Sequence, residues 1–169
     1  ARRLAGVCGP GNNGGDGYVV ARLAKQAGLA VTVLSPSTSA GAQAHPTSAS
    51  VVGDAAAARA AWHKIGGTVQ VFGVEHLQAC DVIVDALFGT GLERPLEGEW
   101  RAAIEAMNAS GRPIFAIDIP SGLHADSGRV LGAAVRAALT LSFIGLKAGL
   151  FTGQGREHSG LILFDDLGV

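Results

Sequence analysis

Short apolar runs alternate along the chain with segments of helical periodicity, and this alternation constrains the fold more than any other feature. Strands are predicted at residues 4–8, 30–34, 69–72, 82–85, 114–117, 139–143 and 161–164. Helices are predicted at residues 14–27, 54–65 and 99–108, the first packing through Val20, Leu23, Ala24 and Ala27. This order indicates an α/β fold with a mostly parallel sheet. Since we find neither an internal repeat nor a linker, we expect a single domain over residues 1–169.

The composition excludes several classes of protein. Hydrophobic residues make up 48% of the 169 residues and charged residues 16%, as in a globular chain with a sizeable core. The net charge of −1 gives no support to a nucleic acid or an anionic membrane as partner. No apolar run approaches the roughly 20 residues of a membrane span. Cys8 and Cys80 lack metal-binding spacing, and they fit a reducing cytoplasm, which is the predicted location.

The loop after the first predicted strand combines glycine with amide and carboxylate side chains. Three glycines match the pattern G-x-G-x-x-G, which lets a backbone approach a phosphate: Gly9, Gly11 and Gly14. A nicotinamide dehydrogenase would carry an acid about 20 residues later to hold a ribose, but residues 34–36 are Leu-Ser-Pro. The loop also carries Asn12, Asn13 and Asp16. These residue types suit a ligand site, or alternatively a helix cap with a tight turn.

Two carboxylates stand where predicted strands end. Asp85 follows the apolar run 82–84, and Asp118 follows the run 114–117. A buried carboxylate costs free energy unless it is paired or bound to a metal. The ends of parallel strands meet at one edge of the sheet, where doubly wound folds bind ligands. Each carboxylate could instead anchor a loop by accepting backbone hydrogen bonds, but two of them at two strand ends favour a functional site.

Ser121 and Lys147 are further candidates at this edge. A hydrolase is rejected, because the nucleophile elbow needs G-x-S-x-G and the sequence around Ser121 is Ile-Pro-Ser-Gly-Leu. The Ser121 hydroxyl is interpreted as a ligand oxygen or a loop bond. Lys147 follows a predicted strand and is either a functional group or a solvated surface lysine. The histidines lack ligand spacing, and we expect all of them on the surface or in loops: His45, His63, His76, His124 and His158.

Three motifs carry a resemblance to a known family. They are Gly-Pro-Gly-Asn-Asn-Gly-Gly-Asp-Gly at 9–17, Val-Asp-Ala-Leu-Phe-Gly-Thr-Gly-Leu at 84–92 and Asp-Ile-Pro-Ser-Gly-Leu at 118–123. Residues 126–129 and 146–147 also fit. The chain resembles the NAD(P)H-hydrate epimerases over nearly its whole length. The resemblance implies a three-layer α/β/α Rossmann-like fold, a homodimer, and epimerisation of the R and S forms of hydrated NADH and NADPH, called NADHX and NADPHX, in metabolite repair.

The resemblance also implies the site. Contacts to the hydrated dinucleotide are expected from Asn12, Asn13, Gly14, Gly15, Asp16, Gly89, Thr90, Gly91, Leu92, Glu93, Arg94, Pro95 and Asp118. One potassium ion per subunit is expected at Asn13, Asp85 and Ser121, whose hard oxygens suit an alkali cation and not zinc. Asp118 is the candidate acid/base, and Lys147 is placed with it in the catalytic set. Backbone N–H groups of the glycine loops, with Arg94 assisting, would hold the pyrophosphate.

The chain departs from the family pattern at two places. No helical stretch precedes the first predicted strand, and Ala148 stands where the family has proline after the lysine. We expect a fragment of a longer chain, with an ADP- or ATP-dependent dehydratase as a fused domain or a separate partner. The alternative function is a non-catalytic binding or scaffold module on the same fold. Such modules tend to lose the potassium and acid residues, which this chain keeps.

Overall fold

The alternating pattern builds a seven-stranded parallel sheet. The computed structural model describes residues 2–36 and 53–168. The strands are β1 (Arg3–Cys8), β2 (Ala30–Ser35), β3 (Val69–Val71), β4 (Val82–Ala86), β5 (Ile114–Ile117), β6 (Leu139–Phe143) and β7 (Leu161–Asp165). They lie in the order β3-β2-β1-β4-β5-β6-β7, and all neighbouring pairs are parallel. All seven predicted strands are confirmed, with ends shifted by one residue at most.

Helices and turns fill the connections between the strands. They are α1 (Asn12–Gln26), α2 (Asp54–Lys64), α3 (Val74–Ala79), α4 (Gly98–Ala109), a 3-10 turn (Ala148–Leu150) and α5 (Gly155–Ser159). The three predicted helices are confirmed as α1, α2 and α4, whereas α3, α5 and the 3-10 turn are too short to show a period. The loop predicted at 35–50 lies, beyond Pro36, outside the described residues. No helix in the described ranges is long and apolar enough to cross a membrane.

Apolar side chains cover both faces of the central strands of the sheet. On one face, Tyr18 and Ala21 of α1 and Trp62 of α2 pack against β1, β2 and β4. On the other face, Leu77 of α3 and Ile104 of α4 pack against the same central strands and β5. Because successive strand side chains point to opposite faces, the central strands are buried on both sides. The three-layer α/β/α fold class is confirmed.

Helix α1 packs through a face that only partly matches the predicted stripe: Val20 and Ala24 pack against the core, whereas Leu23 and Ala27 do not. Leu23 was expected in the buried stripe but is 51% exposed, and Ala27 is exposed as well. The buried residues are Asn13, Gly14, Gly15, Gly17, Tyr18 and Ala21. A Cβ on Gly17 would lie 2.5 Å from the Ala86 Cβ and 2.7 Å from the Cys8 sulfur, so glycine lets the helix press against β1 and β4. The part of the face that is built from glycine leaves no apolar stripe in the sequence.

The order of the strands reverses once, between β1 and β4. The chain runs outward from β1 to β2 and β3, returns to β4 beside β1, and then continues to β7. The loops after β1 and β4 therefore leave in opposite directions, and they open a crevice at the carboxyl edge of the sheet. Ligands of open α/β sheets bind at such a reversal. The motifs after β1 and β4 flank the crevice, and the motif after β5 lies one strand away.

Candidate active site

The loop after β1 turns directly into α1. Gly11 is the N-cap of the helix, and no side chain caps it, so the alternative of an Asn or Asp cap is not observed. Packing explains two glycines of the motif. A Cβ on Gly14 would lie 1.9 Å from the Gly9 carbonyl oxygen, and a Cβ on Gly9 would lie 1.9 Å from the Leu87 carbonyl oxygen. These glycines hold the loop against the loop after β4.

Four other glycines at this edge have no such requirement: Gly11, Gly89, Gly91 and Gly145. A Cβ on Gly11, Gly91 or Gly145 would meet no atom within 4 Å. One on Gly89 would make only ordinary contacts, the nearest with the Asn13 Cβ at 3.5 Å. None of the four has a positive φ. Backbone without side chains beside open space gives an anionic ligand close access to peptide N–H groups, which favours these positions as phosphate contacts.

Asp85 is fully buried at the end of β4 and accepts three hydrogen bonds. Ser121 donates through Oγ at 2.6 Å and through its backbone N at 2.8 Å, and the Leu87 backbone N donates at 3.3 Å. Burial raises the pKa of Asp85 to about 6, although the hydrogen bonds oppose that shift. No lysine, arginine or histidine in residues 2–36 and 53–168 forms an ion pair with it. The loop-anchoring contacts are therefore present, and no cationic side chain of the described residues offsets the buried carboxylate.

Asn13, in the first turn of α1, has an unused polar atom and lies against the loop after β4, with its Cβ 3.5 Å from the position that a Cβ on Gly89 would take. Its side chain is 7% exposed, and its Nδ2 has no hydrogen-bond partner in the described part of the chain. Rotation of the amide would put Oδ1 at the same position. A buried polar atom without a partner costs free energy, so this position favours a partner that is not a protein group.

The donor set fits a singly charged cation. Asp85 and Ser121 are in direct contact, and Ser121 Oγ also accepts a hydrogen bond from the Phe88 backbone N at 2.9 Å, which joins the loops after β4 and β5. Asn13, in the first turn of α1, is the third residue of the predicted donor set. Within the described ranges, no group of three or more His, Cys, Asp or Glu side chains could hold a metal ion. One carboxylate, one amide and one hydroxyl are hard oxygen donors of low total charge, as an alkali cation requires.

Asp118 and Lys147 form an ion pair at the ends of β5 and β6. Their side chains are largely buried, and the Lys147 ammonium donates to Asp118 Oδ1. Lys147 also donates to the Phe143 carbonyl oxygen at 2.8 Å and to Ser142 Oγ at 3.3 Å. The alternative of a solvated surface lysine is therefore wrong. This edge of the sheet therefore holds a carboxylate and an ammonium in direct contact.

A backbone turn at Asp118 lets its carboxylate form a hydrogen bond with β6. Asp118 has a φ of +68°, and the Ile119 N donates to the Ile117 carbonyl oxygen at 2.9 Å, which closes a γ-turn around Asp118. The turn takes β5 away from β6. Asp118 Oδ1 accepts the next β6 hydrogen bond instead, from the Phe143 N at 3.2 Å. A strained residue at a strand end, fixed by a ladder hydrogen bond, is typical of a functional site.

The other predicted contact residues divide into two groups. Asn12, Asp16, Thr90, Gly91, Glu93, Arg94 and Pro95 are exposed, as ligand contacts require. Although Asp16 is exposed, partial desolvation of its carboxyl group raises its pKa. The negative charge of Asp118 raises it further, so the two carboxylates interact electrostatically. Leu92 packs in the core, and a Cβ on Gly15 would lie 2.8 Å from the Ala55 Cα, so both residues have structural reasons to be present.

Sequence reasoning misplaced one histidine and missed one supporting residue. His158 is buried in α5, with Nδ1 2.8 Å from the Val135 carbonyl oxygen, so its prediction as a surface or loop residue is wrong. His45 lies outside the described residues. Phe143 was missed, because it supports Asp118 and Lys147 through backbone atoms that every residue possesses. No sequence signal marks such a contribution.

Residues 1–149 match the profile of a family described as YjeF-related protein N-terminus. The chain belongs to this family. The YjeF-related chain is 39% identical over 171 residues to the NAD(P)H-hydrate epimerase of Limosilactobacillus fermentum, covering all of the chain and 77% of that protein. It is 43% identical over 164 residues to the NAD(P)H-hydrate epimerase of Achromobacter xylosoxidans, covering 96% of the chain and 74% of that protein.

This YjeF-related chain covers only part of the length of some relatives. It is 43% identical over 169 residues to the bifunctional NAD(P)H-hydrate repair enzyme Nnr of Escherichia coli K12, of which it spans 31%. The crystal structure of yeast ynu0, YNL200c, superposes with a TM-score of 0.74 at 22% identity, over 96% of the chain and 65% of the yeast chain. The yeast structure shows a shared fold. The family resemblance of the three motifs is confirmed.

Proposed function

We propose that this chain epimerises the R and S hydrates of NADH and NADPH. The observation that carries the proposal is the Asp118–Lys147 ion pair after β5 and β6, at the same sheet edge as the strand-order reversal between β1 and β4 and its unobstructed glycines. Such a crevice suits a dinucleotide, and the pair supplies proton transfer. The names of the two epimerase relatives support the same substrate.

The chemistry needs one carbon–oxygen bond to open and re-form. The substrate carries a hydroxyl on a saturated ring carbon beside the ring nitrogen, whose lone pair can expel the oxygen and leave an iminium. In our proposal the Lys147 ammonium gives its proton to the departing oxygen, so that water leaves and a neutral amine remains. Water then adds to the other ring face and returns a proton to the pair, through Asp118. Acid/base groups of this kind contribute about 10²–10⁴ in rate.

The glycine loops would bind the pyrophosphate of the substrate. Gly11, Gly89 and Gly91 leave peptide N–H groups accessible, and the N-terminus of α1 adds a favourable dipole for an anion. Arg94 is exposed and could add a charged hydrogen bond. Asp16 lies near the reacting pair, so we place it at the ring end of the substrate.

We further propose one potassium ion per subunit at Asn13, Asp85 and Ser121. Two observations support it among the described residues: no cationic side chain pairs with the buried Asp85 carboxylate, and the buried Asn13 Nδ2 has no hydrogen-bond partner. Bound there, the ion would supply a fixed positive charge that offsets Asp85 and joins the loops after β1, β4 and β5. In our mechanism it holds the site in shape, while proton transfer belongs to Asp118 and Lys147.

We propose two protein partners as well. One is a second copy of the chain, and sedimentation equilibrium of the purified protein tests the dimer directly by its mass. The other is an ADP- or ATP-dependent dehydratase, fused or separate, because the E. coli relative is named as a bifunctional repair enzyme and is much longer than this chain. A cytoplasmic location stays a prediction.

The decisive experiment starts from a single purified epimer. R-NADHX is incubated with the wild-type chain in potassium buffer, and both epimers are followed by chromatography, with a protein-free sample and Asp118→Asn as matched controls. We expect rapid approach to the R/S equilibrium with the wild type alone. An appearance of S-NADHX no faster than in the protein-free sample, together with tight binding of the hydrate, would instead indicate a non-catalytic binding module.

A further inference from the structure

Ile144 has a backbone conformation that isoleucine rarely adopts. Its φ is +63°, and the Gly145 N donates to the Phe143 carbonyl oxygen at 2.6 Å, which closes a γ-turn around Ile144. A β-branched residue at positive φ is a genuine outlier. Core packing does not explain it, because Ile144 is 66% exposed, more than any other large hydrophobic residue in the described ranges.

Phe143, the residue directly before Ile144 in the strained turn, forms hydrogen bonds with both members of the ion pair. The Phe143 N donates to Asp118 Oδ1 at 3.2 Å, and the Phe143 carbonyl oxygen accepts from the Lys147 ammonium at 2.8 Å. Ile144 is the next residue along the chain. Leu146, which directly precedes Lys147, is also exposed, at 51%. Two exposed apolar side chains, which we call the apolar lip, therefore occupy the short segment that carries the reactive lysine.

Strain of this kind persists where the surroundings fix it and where it serves a purpose. The surroundings fix Ile144, whose backbone N donates to the Asp165 carbonyl oxygen of β7 at 2.9 Å. Glycine or asparagine would relieve the strain at this position. Isoleucine adds an apolar surface that faces away from the protein core, which favours a contact with a group other than the described residues.

We propose that Ile144, together with Leu146, is a substrate contact that packs on the hydrated nicotinamide ring. The inference rests on the proposed function, since the reacting ring carbon must lie at the Asp118–Lys147 pair, next to the apolar lip. The ring offers an uncharged carbon face, whereas the phosphates and riboses are polar. An apolar side chain against that face holds the ring carbon toward the pair and excludes more polar nucleotide groups from this end of the crevice.

Three variants of the full chain test the contact. Ile144→Asn tolerates the positive φ and removes the apolar surface, Ile144→Val retains a branched apolar side chain, and Leu23→Asn changes an exposed apolar residue toward the far end of α1. For Ile144→Asn we expect KM for R-NADHX to rise about ten-fold with kcat nearly unchanged, as for a lost apolar substrate contact. We expect wild-type KM for the other two variants, and for Ile144→Asn a melting temperature no lower than wild type.

Calorimetric binding separates this inference from the proposed function. ADP-ribose lacks the nicotinamide ring, so Ile144→Asn should bind it as wild type does while binding R-NADHX about ten-fold more weakly. An unchanged KM and an unchanged affinity for the hydrate overturn the contact, and so does an equal loss of affinity for ADP-ribose. If the wild type fails to epimerise the hydrate, the proposed function is overturned, and the two binding measurements still decide whether Ile144 contacts the ring.

Discussion

Asp118 has a backbone conformation that asparagine also tolerates, with a φ of +68°. In Asp118→Asn the amide oxygen can still accept the Phe143 hydrogen bond, but the side chain can neither take a proton nor neutralise Lys147. We expect the epimerisation rate to fall by about 10²–10⁴, with binding of ADP-ribose retained. Chromatographic rates and calorimetry check this. Turnover near that of the wild type would remove Asp118 from the acid/base role.

Glycines of the same loops should respond differently to alanine. In Gly14→Ala the new Cβ would lie 1.9 Å from the Gly9 carbonyl oxygen, and we expect a loss of unfolding free energy of roughly 1–3 kcal/mol.

In Gly91→Ala the new Cβ meets no protein atom within 4 Å, so the stability should stay within about 0.5 kcal/mol of wild type. Its affinity for ADP-ribose should nevertheless fall. Urea unfolding and calorimetry measure both, and unaltered ADP-ribose binding in Gly91→Ala would argue against a phosphate contact there.

Asp85 should make stability depend on pH in potassium-free buffer. Burial raises the folded-state pKa to about 6 from 3.8, so between these values the folded state binds more protons than the unfolded state. The unfolding free energy should therefore fall as pH rises from about 4 to 7, by up to roughly 3 kcal/mol relative to Asp85→Asn. Urea unfolding of both proteins across this range gives the difference. A flat difference would mean that Asp85 is already compensated by another cation.

At the scale of secondary structure elements, potassium should connect three loops. Asn13 lies in α1 after β1, Asp85 lies near the end of β4, and Ser121 follows β5. An ion bound by all three would therefore link the three connections. We expect the melting temperature to be several degrees higher in potassium chloride than in tetramethylammonium chloride at equal ionic strength. Asp85→Asn should lose this difference. The site is wrong if the wild type melts at the same temperature in both salts.

Most strands were predictable because they are short apolar runs, and the central strands β1 and β4, which are buried on both faces, need no other pattern. The motifs could be placed at one edge because parallel strands all end there. The buried face of α1 was only partly predictable, since Gly17 and its neighbours pack by being small, and Leu23 suggested another face. The γ-turn at Ile144 was equally hidden, because its φ depends on hydrogen bonds to β7 and within the turn itself.

At the scale of the whole molecule, the chain covers most of one relative and less than a third of another. It spans 77% of the L. fermentum epimerase but only 31% of the E. coli bifunctional repair enzyme. We therefore expect it to epimerise the hydrates without regenerating NADH from them when ADP or ATP is added. The absorbance of NADH measures regeneration, with a bifunctional relative as positive control. Nucleotide-dependent recovery of NADH by this chain alone would contradict the assignment.

The hydrogen bond from the Phe143 amide to the Asp118 carboxylate lets a backbone amide of the sheet report the protonation state of Asp118. That amide belongs to β6, yet its acceptor is the group that we expect to gain and lose a proton. Its magnetic resonance frequency should therefore follow the charge on Asp118, and the signal needs no dye or substrate analogue. A backbone position at the end of an interior strand thus offers a spectroscopic view of the reacting carboxylate during turnover.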